Sequence, residues 1–498
     1  MRRYQSVLVF TGLIVAIGAT RIPVAPEHLF YHDSANLAFA IENFNPLLHQ
    51  PQPPGYPVFV GLMRLLRLVL PSAESVLLAA GILGLAAASW FLYRFATEAF
   101  SARAGWFAAT LLAFHPIGWY GGLTNPVRIY FAVAITGAAW LGWRAWRSGR
   151  PRDYLWTAVY VGVASGFRPS TALLLLPLLL VLGLRQKEWR VRWGGWALYA
   201  SGVVSWTSAL FWVSGGIRPY FEFLAGYSQS QFGSSLFYGA APGSALDMIG
   251  TAFVWTFFGA LVWVAAVPFA RRRHPEEKPA PSPWPYLALC YLPAFVFLAL
   301  VHVADPDQTL AVVPGACILG AVALSRATVR WGRPQTAGLL VLLALGSSYL
   351  FRHPPKGKAR AAGYGVVRYQ RDHMRTAMRE LRQVLDDGDA DIISFRPAVS
   401  WRNLSYYFRN ESILVVDPDD PTRVWNTNPN GSVNYNGEVV VLSPERQSVL
   451  LLPPPGSGIR AKLVESAPFQ EHGSLLRARL PEGTEFDLGG VHFRVARH

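Results

Sequence analysis

Charge is what this chain has least of. Only 15% of its 498 residues are Asp, Glu, Lys or Arg, against roughly a quarter in an ordinary soluble domain. The deficit falls in the part before residue 352, which argues against a soluble body there. Cysteine is nearly missing too. The two present, Cys290 and Cys317, sit in apolar segments as small core residues, so there is no disulfide framework or metal pair to read. No basic stripe with interleaved aromatics and no nucleic-acid motif is visible, so the net charge of +15 does not describe a nucleic-acid partner. A Rossmann-type nucleotide-sugar site is absent as well, and so is any tandem repeat.

What the chain has is apolar length. It is 52% hydrophobic, in runs long enough for a helix to cross about 30 Å of hydrocarbon. These runs predict about eleven transmembrane helices, near 5–24, 75–94, 104–122, 126–146, 154–167, 170–184, 194–213, 247–269, 284–303, 309–325 and 335–351. The fold class expected is a polytopic α-helical membrane protein. Arg2 and Arg3 precede the first run, which reads as an uncleaved first span. With those arginines in the cytoplasm, alternate loops such as "WRAWRSGRPRD", "RQKEWRVRW" and "RRRHPEEKP" are rich in Arg or Lys, and the opposite loops are poor. The expected topology has the N-terminus in the cytoplasm and the residues after the last span outside it.

Those last residues change character. "RYQRDHMRTAMRELRQV" reads as an amphipathic helix, and strand-like runs recur in "DIISF", "SILVVD", "GEVVVLS", "SVLLLP", "RAKLVES", "SLLRARL" and "VHFRVA". The expected organisation is a membrane domain over 1–351, with its first external loop at 25–74, and a soluble α/β or α+β domain over 352–498.

Polar residues with chemical potential gather on the outer side. The first external loop carries His32, Asp33, Glu42, His49 and Gln52, then the proline knot "PQPPGYP" with Tyr56. "GYPVFVGLMRLLRLVLP" reads as an amphipathic interfacial helix with Arg64 and Arg67 on its polar side. Arg128 begins the fourth span and Arg168 the sixth; His302 is followed by Asp305 and Asp307. His115, Arg218 and Glu222 are further wall candidates. Arginine is always charged and pairs bidentately with phosphate oxygens, and an aspartate can serve as a general base. One acid among several arginines therefore suits an anionic head group on a lipid. Each residue also has a plainer reading. Asp33 is a good helix cap, His49 a loop histidine bonded to backbone, and Arg128 and Arg168 helix-end residues that snorkel. Asp305-Pro-Asp307 has the spacing of a metal-binding pair, which leaves a divalent cation open, but proline between two acids is also a turn pattern.

The acid of "HDSANLAFA", followed by "HQPQPPGYP" and an interfacial helix, resembles the polyprenyl-phosphate-sugar-dependent glycosyltransferases of the GT-C fold. That group includes protein O-mannosyltransferases, lipid A aminoarabinose transferases and rhizobial lipopolysaccharide glycosyltransferases. "GFRPSTALLLLPLLL", "HVADPDQTLAVVPGACILGAVAL" and "SFRPAVSWRNLSYYF" are similar to later elements of the same relatives. Ser34 stands where many members carry a second acid, and Asp305-Pro-Asp307 where many have a glycine-rich turn.

The resemblance implies a bacterial inner-membrane enzyme that moves a sugar from a polyprenyl-phosphate donor to a glycan, lipid or protein acceptor, with inversion. Asp33 would be the general base. Arg168, Arg128 and His49 would hold the donor phosphate. His32, Gln52, Tyr56, His302, Asp305 and Asp307 would line the pocket, with no metal assigned. A transporter or flippase of lipid-linked glycans would use the same arginines, yet it should show ionisable residues at mid-membrane and an internal repeat. A receptor acting through its tail is a third class, and the tail carries no ligand motif.

Overall fold

The computed structural model describes residues 2–30, 32–231, 235, 241–263, 282–385, 390–394, 399–416, 423–428, 431–436, 439–442, 447–451, 470–472, 475–488 and 491–496. The basic loop "RRRHPEEKP", the end of the 247–269 run and the strand expected at "RAKLVES" lie outside these residues, as does part of "SFRPAV".

The chain forms two compact units: Met1–Ala25 with Ala40–Val367, and Pro26–Phe39 with Arg368–His498. The first unit is helical. Its elements begin with α1 (Arg2–Arg21), the end of α2 (His32–Glu42), α3 (Pro57–Arg67), α4 (Ala73–Ala99), α5 (Ala102–Ala113), α6 (Pro116–Thr124) and α7 (Ile129–Ser148). They continue through α8 (Pro151–Ala164), α9 (Ser170–Leu174), α10 (Leu176–Leu184), α11 (Trp189–Val213), α12 (Ile217–Gln231) and α13 (Pro242–Phe257). They end with α14 (Trp284–Leu300), α15 (Val313–Ala327), α16 (Arg333–Arg352) and the start of α17 (Tyr364–Val384).

Each of the eleven apolar runs contains helix among its described residues. By length and composition, four helical stretches among the described residues suffice to cross a membrane: Ser6–Val24, Ala73–Ala99, Gly243–Val262 and Arg333–Arg352. Three apolar helices are shorter: Ser170–Leu184, Trp284–Leu300 and Val313–Ala327.

Some runs are interrupted, and proline explains where. The 104–122 run stops at Ala113 and resumes at Pro116 as α6. Proline lacks an N–H and is favoured in the first turn of a helix, so it ends one helix and starts another. His115 caps the new start, with Nδ1 accepting from the Ile117 N–H at 3.2 Å. The 126–146 run likewise opens with a short 3-10 turn, Pro126–Arg128, before α7. Pro306–Ala311 forms a second such turn before α15. In α3 the faces separate as the sequence predicts. Phe59, Val60 and Met63 are buried, while Leu65 and, just past its end, Leu68 and Val69 are exposed. Arg64 donates from Nε to the Ile41 carbonyl at 3.0 Å, which satisfies an end carbonyl of α2.

The second unit joins the segment 26–39 to the C-terminal part. Its described residues contain most of α2 and α17, α18 (Trp401–Tyr407) and ten strands. These are β1 (Ala390–Ser394), β2 (Ser412–Val416), β3 (Arg423–Asn428), β4 (Gly431–Asn436), β5 (Val440–Leu442), β6 (Gln447–Leu451), β7 (Gln470–His472), β8 (Leu475–Ala478), β9 (Glu485–Leu488) and β10 (Val491–Val495). One sheet runs β4-β3-β2-β1-β6-β8-β7, with β1 parallel to both neighbours, and a smaller one runs β5-β10-β9.

Alternate side chains of a strand point to opposite faces, and this sheet uses both. Ile392 and Ile413 pack with Met374, Ala377, Met378 and Leu381 of α17. Ile393 and Leu414 pack with Leu476, Phe486 and Phe493 on the other side. The C-terminal sheet region expected from the sequence, read there as α/β or α+β, is present.

Candidate functional site

In the helical unit Arg128 and Arg168 are both buried. Arg128 ends the turn Pro126–Arg128, and its relative exposure is 8%. Its Nη2 lies 3.8 Å from Asp305 Oδ2 and its Nε 4.0 Å from Asp307 Oδ1. Both separations exceed hydrogen-bond length, so these are charge pairings. Asp307 reaches this position because α6 has no side chain at residue 121. A Cβ on Gly121 would sit 3.1 Å from Asp307 Cβ and 3.0 Å from Leu310 Cδ1. The possible cation ligands Asp305 and Asp307 are thus both engaged with a guanidinium. Among the described residues no group of three metal-ligating side chains is assembled.

Arg168 lies between α8 and α9 at 9% exposure. It donates from Nη1 to the Tyr56 hydroxyl at 2.7 Å. Its guanidinium carbon lies 4.5 Å from the Phe131 ring centroid and 5.0 Å from that of Tyr56. Tyr56 Oη donates in turn to the Pro53 carbonyl at 3.1 Å. An arginine with two aromatic faces and a hydroxyl acceptor is held in a fixed orientation.

His302, in the loop after α14, connects the two arginines electrostatically. Its pKa is below the ordinary value of 6.5, chiefly through burial. Arg128 then lowers it, Asp305 opposes, and Arg168 lowers it further. Arg128, Arg168, His302, Asp305 and Asp307 therefore form one electrostatic neighbourhood.

The proline knot has an unusual backbone. His49, Gly55 and Tyr56 have φ of 55°, 111° and 50°, and non-glycine residues are uncommon there. Such strain persists where surrounding structure imposes it, and it gathers at functional sites. Here Asn45 and Gln50 form a backbone bridge, and Tyr220 Oη of α12 donates to the Pro54 carbonyl at 2.8 Å. Gln52 is buried at 3% exposure, and neither end of its carboxamide has a hydrogen-bond partner among the described residues. A buried amide without partners is costly, which makes Gln52 a candidate ligand-facing group.

Other candidates fall elsewhere. The described ring contacts of His49 are with Phe223 and Tyr227 of α12, at 5.6 and 5.9 Å. Arg218 and Glu222 pair with each other at 2.7 Å on an exposed surface of α12. His115 is the cap of α6 already described. Phe131 and Tyr220 were not legible as site residues. The available signal for Phe131 was its spacing of one helical turn from Arg128.

Asp33 belongs to the other unit. It lies in the first turn of α2, where the helix dipole favours a carboxylate, and it is half-buried. Beside it in sequence, His32 meets Trp401 edge-on, with centroids 5.1 Å apart.

Residues 51–212 match the family model described as dolichyl-phosphate-mannose-protein mannosyltransferase. In structure the chain is similar to ArnT from Cupriavidus metallidurans bound to undecaprenyl phosphate, with TM-score 0.60 and 14% identity, covering 95% of this chain and 97% of that one. The apo state of the same ArnT gives TM-score 0.59 and 14% identity over 96% and 98% of the chains. The likeness to the apo oligosaccharyltransferase of Archaeoglobus fulgidus is looser, at TM-score 0.43 and 14% identity over 82% and 64%. No curated protein sequence matches. The chain has the GT-C fold that its motifs resemble.

Proposed function

We propose that this chain is an integral membrane glycosyltransferase that moves a sugar from a polyprenyl-phosphate donor to an acceptor outside the cytoplasm. The observation that carries the reading is that two arginines, Arg128 and Arg168, are both buried within the helical unit of this fold. Burying a guanidinium is expensive unless an anion or acceptor compensates it. The described charge pairings of Arg128 are with Asp305 and Asp307 at 3.8 and 4.0 Å, and a guanidinium also pairs bidentately with phosphate oxygens. A related fold, ArnT, is known with undecaprenyl phosphate bound.

In this reading Arg168 and Arg128 hold the lipid phosphate and neutralise its charge as the glycosidic bond breaks. His49 and His302 are auxiliary, and Gln52 and Tyr56 belong to the donor pocket. Asp33 accepts the proton of the acceptor hydroxyl or amine as that atom attacks the anomeric carbon. The sugar configuration inverts, and the polyprenyl phosphate leaves with its bonding electron pair.

A transfer assay with purified protein and polyprenyl-phosphate sugars tests this. Asp33→Asn should lower kcat by roughly 10²-fold or more with little change in donor KM, the range for loss of a general base. Arg168→Ala should raise donor KM by about tenfold or more, as expected for a lost charge-assisted hydrogen bond. Undiminished transfer by Asp33→Asn would remove the base. Lipid translocation in vesicles without any transfer would favour a flippase.

A further inference from the structure

The segment 26–39 has a dense set of partners on α18. Leu29 is held at both ends of its peptide unit. Its N–H donates to Tyr407 Oη at 2.8 Å, and its carbonyl accepts from Asn403 Nδ2 at 2.9 Å. His28 meets Tyr407 and Phe39 meets Tyr406, with ring centroids 5.4 and 5.2 Å apart. Glu27 accepts from Arg375 Nε of α17 at 2.9 Å.

The central contact is polar. Arg402 Nε donates to Asn36 Oδ1 at 2.7 Å. The Arg402 guanidinium lies over Phe39 at 4.6 Å and Trp401 at 5.3 Å. Asn36 is fully buried. Asparagine is a poor helix former, and burying its amide costs free energy unless it is bonded, so this position of α2 depends on its partner. Burial lowers the Arg402 pKa to about 10, which still leaves it charged at neutral pH.

Asn36 and Asp33 are three residues apart on α2 and share one face of the helix. Fixing Asn36 therefore fixes the rotation of α2 about its axis, where each residue of slip turns a side chain by about 100°. We propose that Arg402 is a positioning residue for the transfer reaction: through Asn36 it sets the rotation of α2 and so the direction of the Asp33 carboxylate. This rests on the reading of Asp33 as the base. The tail is then part of the catalytic apparatus, through a residue that need not touch substrate.

The test uses the full-length protein with Arg402→Ala, Arg402→Lys, Asn36→Ala and the double variant Asn36→Ala/Arg402→Ala. A misdirected catalytic group costs up to about 10²-fold. Arg402→Ala should therefore lower kcat by roughly ten- to a hundredfold, with donor KM within about twofold. The double variant should lose no more than the larger single loss, because both substitutions break one contact. Hydrogen exchange of the 27–39 amides should rise in Arg402→Ala, while that of β1 and β6 stays unchanged. Arg402→Lys should fall between, since it keeps the cation and loses the planar fork, and it serves if the alanine variant fails to fold.

Unchanged kcat in folded Arg402→Ala, or additive losses in the double variant, would overturn the proposal. A parallel rise in donor KM would do the same, because it would indicate general damage. The base reading fails separately: Asp33→Asn with full transfer sinks it whatever Arg402 does. An inactive Asp33→Asn beside a fully active Arg402→Ala sinks the positioning role alone.

Discussion

Tyr56 is where several constraints of the helical unit meet. It has a positive φ, it donates to Pro53, and its hydroxyl accepts from Arg168. Removing that hydroxyl leaves a buried guanidinium short of an acceptor. Hydrogen bonds to charged groups contribute about 1.5–3 kcal/mol. Tyr56→Phe should thus weaken donor binding by roughly tenfold or more, read as a rise in KM with kcat nearly unchanged.

His302 yields a pH prediction at the same scale. Its folded-state pKa lies below 6.5 through burial and Arg128, despite Asp305, with Arg168 adding to the fall. The folded protein then binds fewer protons than the unfolded chain at acid pH. Its contribution to stability is present above pH 6.5 and is lost as pH falls through the folded-state pKa. Melting curves at pH 7.5 and pH 5 should show a smaller drop for His302→Gln than for the parent. An equal drop would assign the acid sensitivity to other groups.

Among elements, α6 and the turn Pro306–Ala311 are packed against each other through Gly121. A Cβ there meets Asp307 and Leu310 at or near 3 Å, too close for an ordinary contact. Gly121→Val should cost about 1–3 kcal/mol by overpacking. It should also displace Asp307 from Arg128 and so alter donor KM. Thermal melting and donor titration check the two effects.

At this scale the sequence was informative where periodicity is strong. The apolar runs became helices, α17 took its amphipathic face to the sheet, and β1, β2, β5, β6, β8 and β10 arose from the apolar runs that announced them. The break at His115-Pro116 was hidden because both flanking stretches are uniformly apolar. The strands β3 and β4 were hidden for the opposite reason: "RVWNTN" and "GSVNYN" are too polar to stand out. The candidates Arg128, Arg168, His302, Asp305 and Asp307 were legible from chemistry and loop position. Their grouping depends on helix packing, and so does the Arg402–Asn36 bond, which joins residues 366 positions apart.

For the whole molecule, orientation is the property most open to measurement. The alternation of basic loops implies that Ser148 faces the cytoplasm and that Glu482, on the exposed rim of the tail, lies outside. Both native cysteines are buried, so Cys290→Ala and Cys317→Ala give a quiet background. An impermeant maleimide should label Glu482→Cys in intact cells and Ser148→Cys after permeabilisation. The reverse pattern would invert the topology and place the proposed chemistry on the wrong side.

The division of the chain has a practical corollary for anyone cutting it. A construction ending at Val367 would retain every residue of the helical unit by number, and by appearance it would be a complete membrane enzyme. It would nevertheless orphan Pro26–Phe39, whose partners Arg402, Asn403, Tyr406 and Tyr407 are all on the discarded side. The Leu29 peptide unit and the buried Asn36 side chain would lose the hydrogen bonds that Tyr407, Asn403 and Arg402 give them. The tail is therefore less an appendage than the missing half of the first loop.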